Sequence, residues 1–468
     1  MAKQNKNQVG GVMMKKVVIG AVVICVSILL VSGLFTHKKF TGEARFTTSE
    51  RCADCHQLQH ASWQLTLHPK IFRPIKSDSD ILGDFSKPDP AVTFKKEDIQ
   101  FVVGSKWEQV YVHMVDGEYY PLTAKWMVMQ KKWVPYKVKD WKETPMTKKC
   151  NGCHTTGFDP ATGKFVEFGV GCESCHGPGS RHAAHRQQEQ SSVCKLCHSN
   201  VKASGTDIVR SVAPSVCGQC HTRGKNGESE SIPAGTFDFP VNNTPGDDFT
   251  KNYKQKVSKN DTEQKYWWGF GISKDRHQEF ADWNNSKHAK SLANLQAIEG
   301  VRGSSCSQGK RDDKCMNCHS ADYHLAKEGL KPTLDTAKYG VTCVSCHEPH
   351  GLDKQAHDEY TNKCGNCHLA NFSSRSGDSA KRPHAPCPSG KVTCADCHMP
   401  RTVKTGGFFS LRNHAFRIVP PQASLAESIP NSCQNSDCHK EKPLAWAIKE
   451  FDRHYPGAAR KLLQANKN

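Results

Sequence analysis

Three observations predict a mainly α and irregular fold with one small β element near residues 101–136. One short cysteine-histidine word recurs ten times, only 37% of the chain is apolar, and a single stretch alternates in the manner of strands. The word is Cys-x-x-Cys-His in nine copies and Cys-x₄-Cys-His in the tenth. Its cysteines are Cys52 and Cys55, Cys150 and Cys153, Cys172 and Cys175, Cys194 and Cys197, Cys217 and Cys220, Cys315 and Cys318, Cys343 and Cys346, Cys364 and Cys367, Cys394 and Cys397, and Cys433 and Cys438. The histidines that follow are His56, His154, His176, His198, His221, His319, His347, His368, His398 and His439. Each word is the attachment signature of a covalent c-type haem. Two thiols add across the vinyl groups and the adjacent imidazole becomes the proximal iron ligand. Zinc sites also use cysteine pairs, but their histidines lie farther away at variable spacing, so the repeated word favours haem.

The count predicts ten haems and leaves Cys25, Cys306 and Cys387 of the 23 cysteines, too few for a disulfide framework. Cys306 and Cys387 are equally readable as a pair or as two separate thiols. Ten porphyrins also account for the thin apolar composition, because each is a large flat apolar body for the chain to wrap, and the chain without them is expected to be largely unfolded or molten. The net charge of +18 is matched by about twenty haem propionates, partly offset by ferric iron. No basic run is interleaved with aromatics, which argues against nucleic acid.

Taken in order, Lys15 and Lys16 precede an uncharged, mostly apolar stretch over residues 17–35, so residues 1–45 read as a signal anchor or a signal peptide. The haem-bearing chain is then exported, to the periplasmic or extracellular side of the cytoplasmic membrane. A four-haem module is expected over 46–200 and a second over 201–370, with a polar linker of little core at about 224–261. The repeat rests on spacing and on words: Cys52 to Cys150 and Cys217 to Cys315 are both 98 residues. Trp63 to His68 and Trp283 to His288 share the form Trp-x-x-(Ser/Thr)-x-His, and Gly169-Val-Gly-Cys172 parallels Gly340-Val-Thr-Cys343. A two-haem extension over 371–440 and a C-terminal helix over 441–468 follow; in the helix, Pro443 opens a face of Leu444, Ile448 and Phe451 that packs beside the last haem. The β element is a hairpin or small sheet, signalled by Gln109 to Met114, an Asp116-Gly117 turn and Tyr119.

Of 24 histidines, 14 remain after the proximal set, enough for every iron to take two imidazoles. The distal candidates are His68, His182, His185, His288, His350, His357, His384 and His414; His60, His277, His324 and His454 are weaker, and the pairings are open. An iron with two imidazoles is coordinatively saturated and passes electrons without a substrate site.

The string Gly169-Val-Gly-Cys172-Glu-Ser-Cys175-His176-Gly-Pro-Gly-Ser-Arg-His182, the segment Gly104 to Tyr111, and Cys394 to Arg401 with Asn413 to Arg417 resemble exported multihaem cytochromes. The group is that of hydroxylamine oxidoreductase, pentahaem nitrite reductase and octahaem cytochromes. The resemblance implies a multihaem cytochrome fold organised around a stacked haem chain, and distal ligation by His68 and His288. Two departures weaken a catalytic reading: no word carries Lys in place of His, and no cross-linking Tyr is assignable. The expected function is an electron conduit between a membrane quinol oxidase or another cytochrome and a further acceptor, extracellular acceptors included, as a single chain, an oligomer or a filament. The alternative is a terminal reductase of a small nitrogen or sulfur oxyanion at one five-coordinate haem.

Overall fold

The computed structural model describes residues 43–139, 141–184, 208–209, 211–299, 315–352, 363–368, 393–435 and 438–464. The alternating stretch forms the largest sheet, five antiparallel strands in chain order: β1 (Phe72–Pro74), β2 (Phe101–Val103), β3 (Glu108–Val115), β4 (Glu118–Met127) and β5 (Lys132–Pro135). β1 is an addition to the hairpin expected from sequence, because Phe72-Arg-Pro is too short to signal a strand alone. At the β3–β4 turn Asp116 and Gly117 have φ of 51° and 83°, the double left-handed conformation that a two-residue hairpin requires.

Alternation gives the sheet two working faces. On one, Ile99, Val102, Tyr111, Leu122, Ala124, Trp126 and Trp133 are buried beneath Phe85 and Phe94. On the other, Phe72, Val112 and Met146 pack with Phe101, Tyr119, Phe165, Phe168 and Cys150, so this face seats the second attachment word. The Glu108 carboxylate, buried at one corner, pairs with Lys125 at 2.7 Å and with Arg276, and accepts from Thr405 Oγ1 at 2.7 Å. One acid thereby joins the sheet to two distant segments.

Elsewhere the chain is short helices, bends and two-stranded ribbons at Thr155–Thr156 with Glu167–Phe168, Gly224–Asn226 with Tyr253–Gln255, and Val403–Thr405 with Phe408–Leu411. Among the described residues, the buried apolar side chains form six separate small clusters. Residues 224–261 differ from the expected coreless linker: Ile232, Phe237 and Phe239 bury together against Cys153 and Phe158, while Phe249 and Tyr253 bury with Phe280 and Trp283. A few aromatics, diluted among polar residues, are enough to anchor this segment. The single helix expected over 441–468 is two, Leu444–His454 after Pro443 and Ala458–Gln464, because Pro456 and a left-handed Gly457 break the run; Ala447 and Phe451 are buried in the first, and the Trp446 ring lies 4.8 Å from that of His439 in the last word.

Residues 46–468 form one compact unit. The expected span at 17–35 lies outside the described residues, and among those described no helix is long and apolar enough to cross a membrane.

Candidate haem sites

A spacing of i, i+3, i+4 places two thiols and an imidazole on one side of a helical turn. The described Cys-x-x-Cys-His words adopt that turn. The histidine N–H donates to the first cysteine's carbonyl at 2.9 Å for His56, 3.1 Å for His154, 2.9 Å for His221 and 2.9 Å for His347. Helices Asn151–His154, Cys172–His176, Met316–His319 and Cys394–His398 coincide with words, and residues 363–368 are helical as well. Inside one word, Gly152 is set by close approach: a Cβ there would meet the Phe239 ring at 2.1 Å. The described attachment cysteines are all partly or fully exposed residues.

Among the described residues, four pairs of histidine rings that each include an attachment-word histidine lie about 6 Å apart. Ring centroids are separated by 6.3 Å for His56 and His182, 6.1 Å for His176 and His350, 6.0 Å for His288 and His368, and 6.2 Å for His347 and His414. An imidazole nitrogen binds a metal at about 2 Å and its ring centre lies about 1 Å beyond, so two imidazoles on opposite sides of one iron have centroids ~6 Å apart. The pairs fit iron between them. Each joins one proximal histidine to one distal candidate, covering His182, His288, His350 and His414. Among the described residues, the rings of His154, His221, His319 and His439 face no second imidazole at that separation. The buried Nδ1 of His154 has no hydrogen-bond partner.

Two proximal imidazoles are oriented through Nδ1: His176 meets the Val209 carbonyl at 2.7 Å and His319 the Ser291 carbonyl at 3.1 Å. Such bonds direct the other nitrogen toward a metal. Burial holds His68, with some help from His221, down at about 4, and burial does the same for His288, with some help from His368. Their rings are neutral at pH 7, the form a metal accepts.

The repeated words repeat their hydrogen bonds. Trp63 Nε1 donates to the Val170 carbonyl at 3.1 Å and Trp283 Nε1 to the Val341 carbonyl at 2.8 Å. The same valines return N–H bonds to the carbonyls of His68 at 3.0 Å and His288 at 3.2 Å. Thiols repeat likewise: Cys52 is within hydrogen-bond reach of Cys172, and Cys217 of Cys343, joining the first and third words of each half. Further thiol contacts join Cys153 with Cys220, Cys318 with Cys367, and Cys364 with Cys394. Attachment thiols far apart in sequence therefore meet.

Several positioning residues carry no sequence signal. Glu173, between the two cysteines of the third word, accepts from Thr47 N–H at 2.9 Å, Thr48 N–H at 2.9 Å and Gly179 N–H at 2.6 Å. Glu167 accepts from Ser49 N–H at 3.0 Å, and Ser49 Oγ accepts from Cys172 N–H at 3.0 Å. These bonds pin the first word onto the third. The x positions of an attachment word are free in composition, so nothing in the pattern flags Glu173. The fourth word (Cys194, Cys197, His198), the candidates His185, His357 and His384, and the cysteines Cys25, Cys306 and Cys387 lie outside the described residues.

Comparison with known proteins agrees with this geometry. A family model described as cytochrome c554 and c-prime matches residues 122–177 and 275–348, stretches that hold the second and third words of each half. The multihaem cytochrome MtrA of Shewanella baltica (strain OS185) is 26% identical over 145 residues, which is 31% of this chain and 37% of that protein's length. The crystal structure of an outer cell wall cytochrome, OcwA, superposes with a TM-score of 0.71 at 27% identity, covering 87% of this chain and 86% of that one. An undecahaem cytochrome from the S-layer of Carboxydothermus ferrireducens shares the fold, with a TM-score of 0.50 at 19% identity over 94% of this chain and 64% of that one. Attachment words on helical turns, paired imidazoles and these likenesses together support a chain of the multihaem c-type cytochrome kind.

Proposed function

We propose that the chain is a decahaem electron conduit, organised as four-haem modules over 46–200 and 201–370, a two-haem extension over 371–440 and a closing segment over 441–468 that carries helices Leu444–His454 and Ala458–Gln464. The observation that carries this reading is the set of four opposed imidazole pairs at 6.0–6.3 Å, because an iron held between two imidazoles has no position for a substrate. The thiol contacts support it, since they bring neighbouring attachment edges together along the fold. His68 is assigned as a distal ligand by its equivalence to His288; His185, His357 and His384 serve remaining irons. The outer cell wall location of the similar cytochrome OcwA supports work at an external face. Residues 17–35 hold the chain at the cytoplasmic membrane, where a quinol oxidase or another cytochrome supplies electrons for an extracellular or periplasmic acceptor.

A second reading has its own observation. The unopposed rings of His154, His221, His319 and His439 leave room for a five-coordinate haem, and a small nitrogen or sulfur oxyanion reduced there would make the protein a terminal reductase of the nitrite or hydroxylamine type. One experiment tests both. Pyridine haemochrome analysis counts the haems, and magnetic-resonance spectra of the oxidised protein sort them by spin. Ten equivalents, all low-spin and unmoved by nitrite or hydroxylamine, support the conduit; a high-spin signal that shifts on adding either anion supports the reductase; few equivalents or bound zinc refute both.

A further inference from the structure

Two of the four histidine pairs stay within one half of the repeat, His56 with His182 and His288 with His368. The other two cross. His176, in the third word, faces His350, 174 residues later and just beyond the seventh word; His347, in the seventh word, faces His414 beyond the ninth. The repeat thus takes the same step twice, with its third-position iron facing a histidine of the next segment. Resting on the haem-bearing reading above, we propose that the third and seventh haem irons fasten the segments together, each closed by a sixth ligand from the following segment: His350 for the third iron and His414 for the seventh.

The surroundings of both ligands are built for the role. Glu348 Oε1 receives His350 N–H at 3.2 Å and lies 2.8 Å from His350 Nδ1, while Leu352 N–H donates to Oε2 at 2.6 Å, so one carboxylate shapes the turn and aims the ring. The same turn presses on the first segment, since a Cβ at Gly351 would lie 2.7 Å from the Thr66 side chain and 2.9 Å from the Ser62 carbonyl. His176 is held from the opposite side by Val209. At the second junction, Asp282 in helix Glu279–Asn284 accepts from His414 N–H at 3.0 Å, and the Phe416 ring packs edge-on against His288 at 4.4 Å. Each crossing ligand is therefore anchored on the segment that it joins. A consequence for maturation follows: the third haem remains five-coordinate until residue 350 has been exported and folded.

The test is spin-state counting on the full-length holoprotein. His350→Ala and His414→Ala should each keep the wild-type haem content by pyridine haemochrome and add one haem equivalent of high-spin ferric signal, which exogenous imidazole returns to low spin. In a Cys172→Ser/Cys175→Ser background, which lacks the third haem, His350→Ala should add nothing. Where an alanine variant fails to mature, His350→Met or His414→Met keeps iron six-coordinate and should raise a single midpoint potential. Wild-type haem content with no gain in high-spin signal, a gain from only one of the two histidines, or a gain that persists without the third haem would overturn the proposal, as would unchanged potentials in the methionine variants. Absence of haem from the unaltered protein removes instead the reading beneath it.

Discussion

The sheet and the attachment words answer the same physical problem in opposite ways. Between Phe72 and Pro135 the chain buries its own aromatics: the Phe85 and Trp133 rings are 5.0 Å apart, Tyr111 and Trp133 5.3 Å, and Trp126 and Trp133 5.2 Å. The helices of the described attachment words, by contrast, are about one turn long. A helix of one turn is far below the length that sustains itself in water, because nucleation fixes several dihedrals for one hydrogen bond. The comparison teaches that one region carries its core in its sequence, whereas the other receives it with the cofactor.

Removal of haem should separate the two regions most sharply. Chain produced without haem attachment is expected to lose hydrogen-exchange protection over the word-bearing helices while retaining it at residues 101–135; uniform protection or uniform loss across both would break the contrast. Next in size, Trp133→Ala should cost ~3–5 kcal/mol of stability by cavity formation in the aromatic cluster, with haem content unchanged in the folded fraction. A fall in haem stoichiometry instead would show that the sheet depends on the cofactor after all.

Smaller effects sharpen the comparison between the halves. Trp63→Phe and Trp283→Phe each remove an indole donor from a valine carbonyl, which should cost about 1 kcal/mol apiece. Because each valine also donates to the carbonyl of His68 or His288, both substitutions should perturb the spectrum of the iron bound there, and to a similar degree. Unequal perturbation would mean that the repeated words no longer do the same job. Smallest of all, Gly117→Ala keeps open space around the new methyl group but forces a left-handed alanine, at ~1 kcal/mol, measured by chemical denaturation. A larger loss would mark the hairpin turn as a packing site.

Much of the candidate site was legible beforehand because the attachment word is a local pattern. Thiols three residues apart and a histidine next to the second can be read without knowing any distant neighbour, and His288 was readable because its word recurs. The β element was legible for the same reason, through alternation and the Asp116-Gly117 turn. Residues 224–261 were read less well: Phe237, Phe239 and Phe249 are too widely spaced in polar sequence to show a periodicity, and their burial depends on Cys153, Phe158 and Phe280 arriving from elsewhere.

The amino-acid order alone determined where the ten cysteine-histidine words lie, which histidine adjoins each thiol pair, and that only a modest apolar core was available. Tertiary structure alone decided which imidazole faces which: His176 with His350, His347 with His414, and Cys52 beside Cys172. The reason is that a proximal ligand is tied to its thioethers by one turn of backbone, whereas an opposing ligand is limited only by what packing brings within ~6 Å, a distance any part of a folded chain can supply.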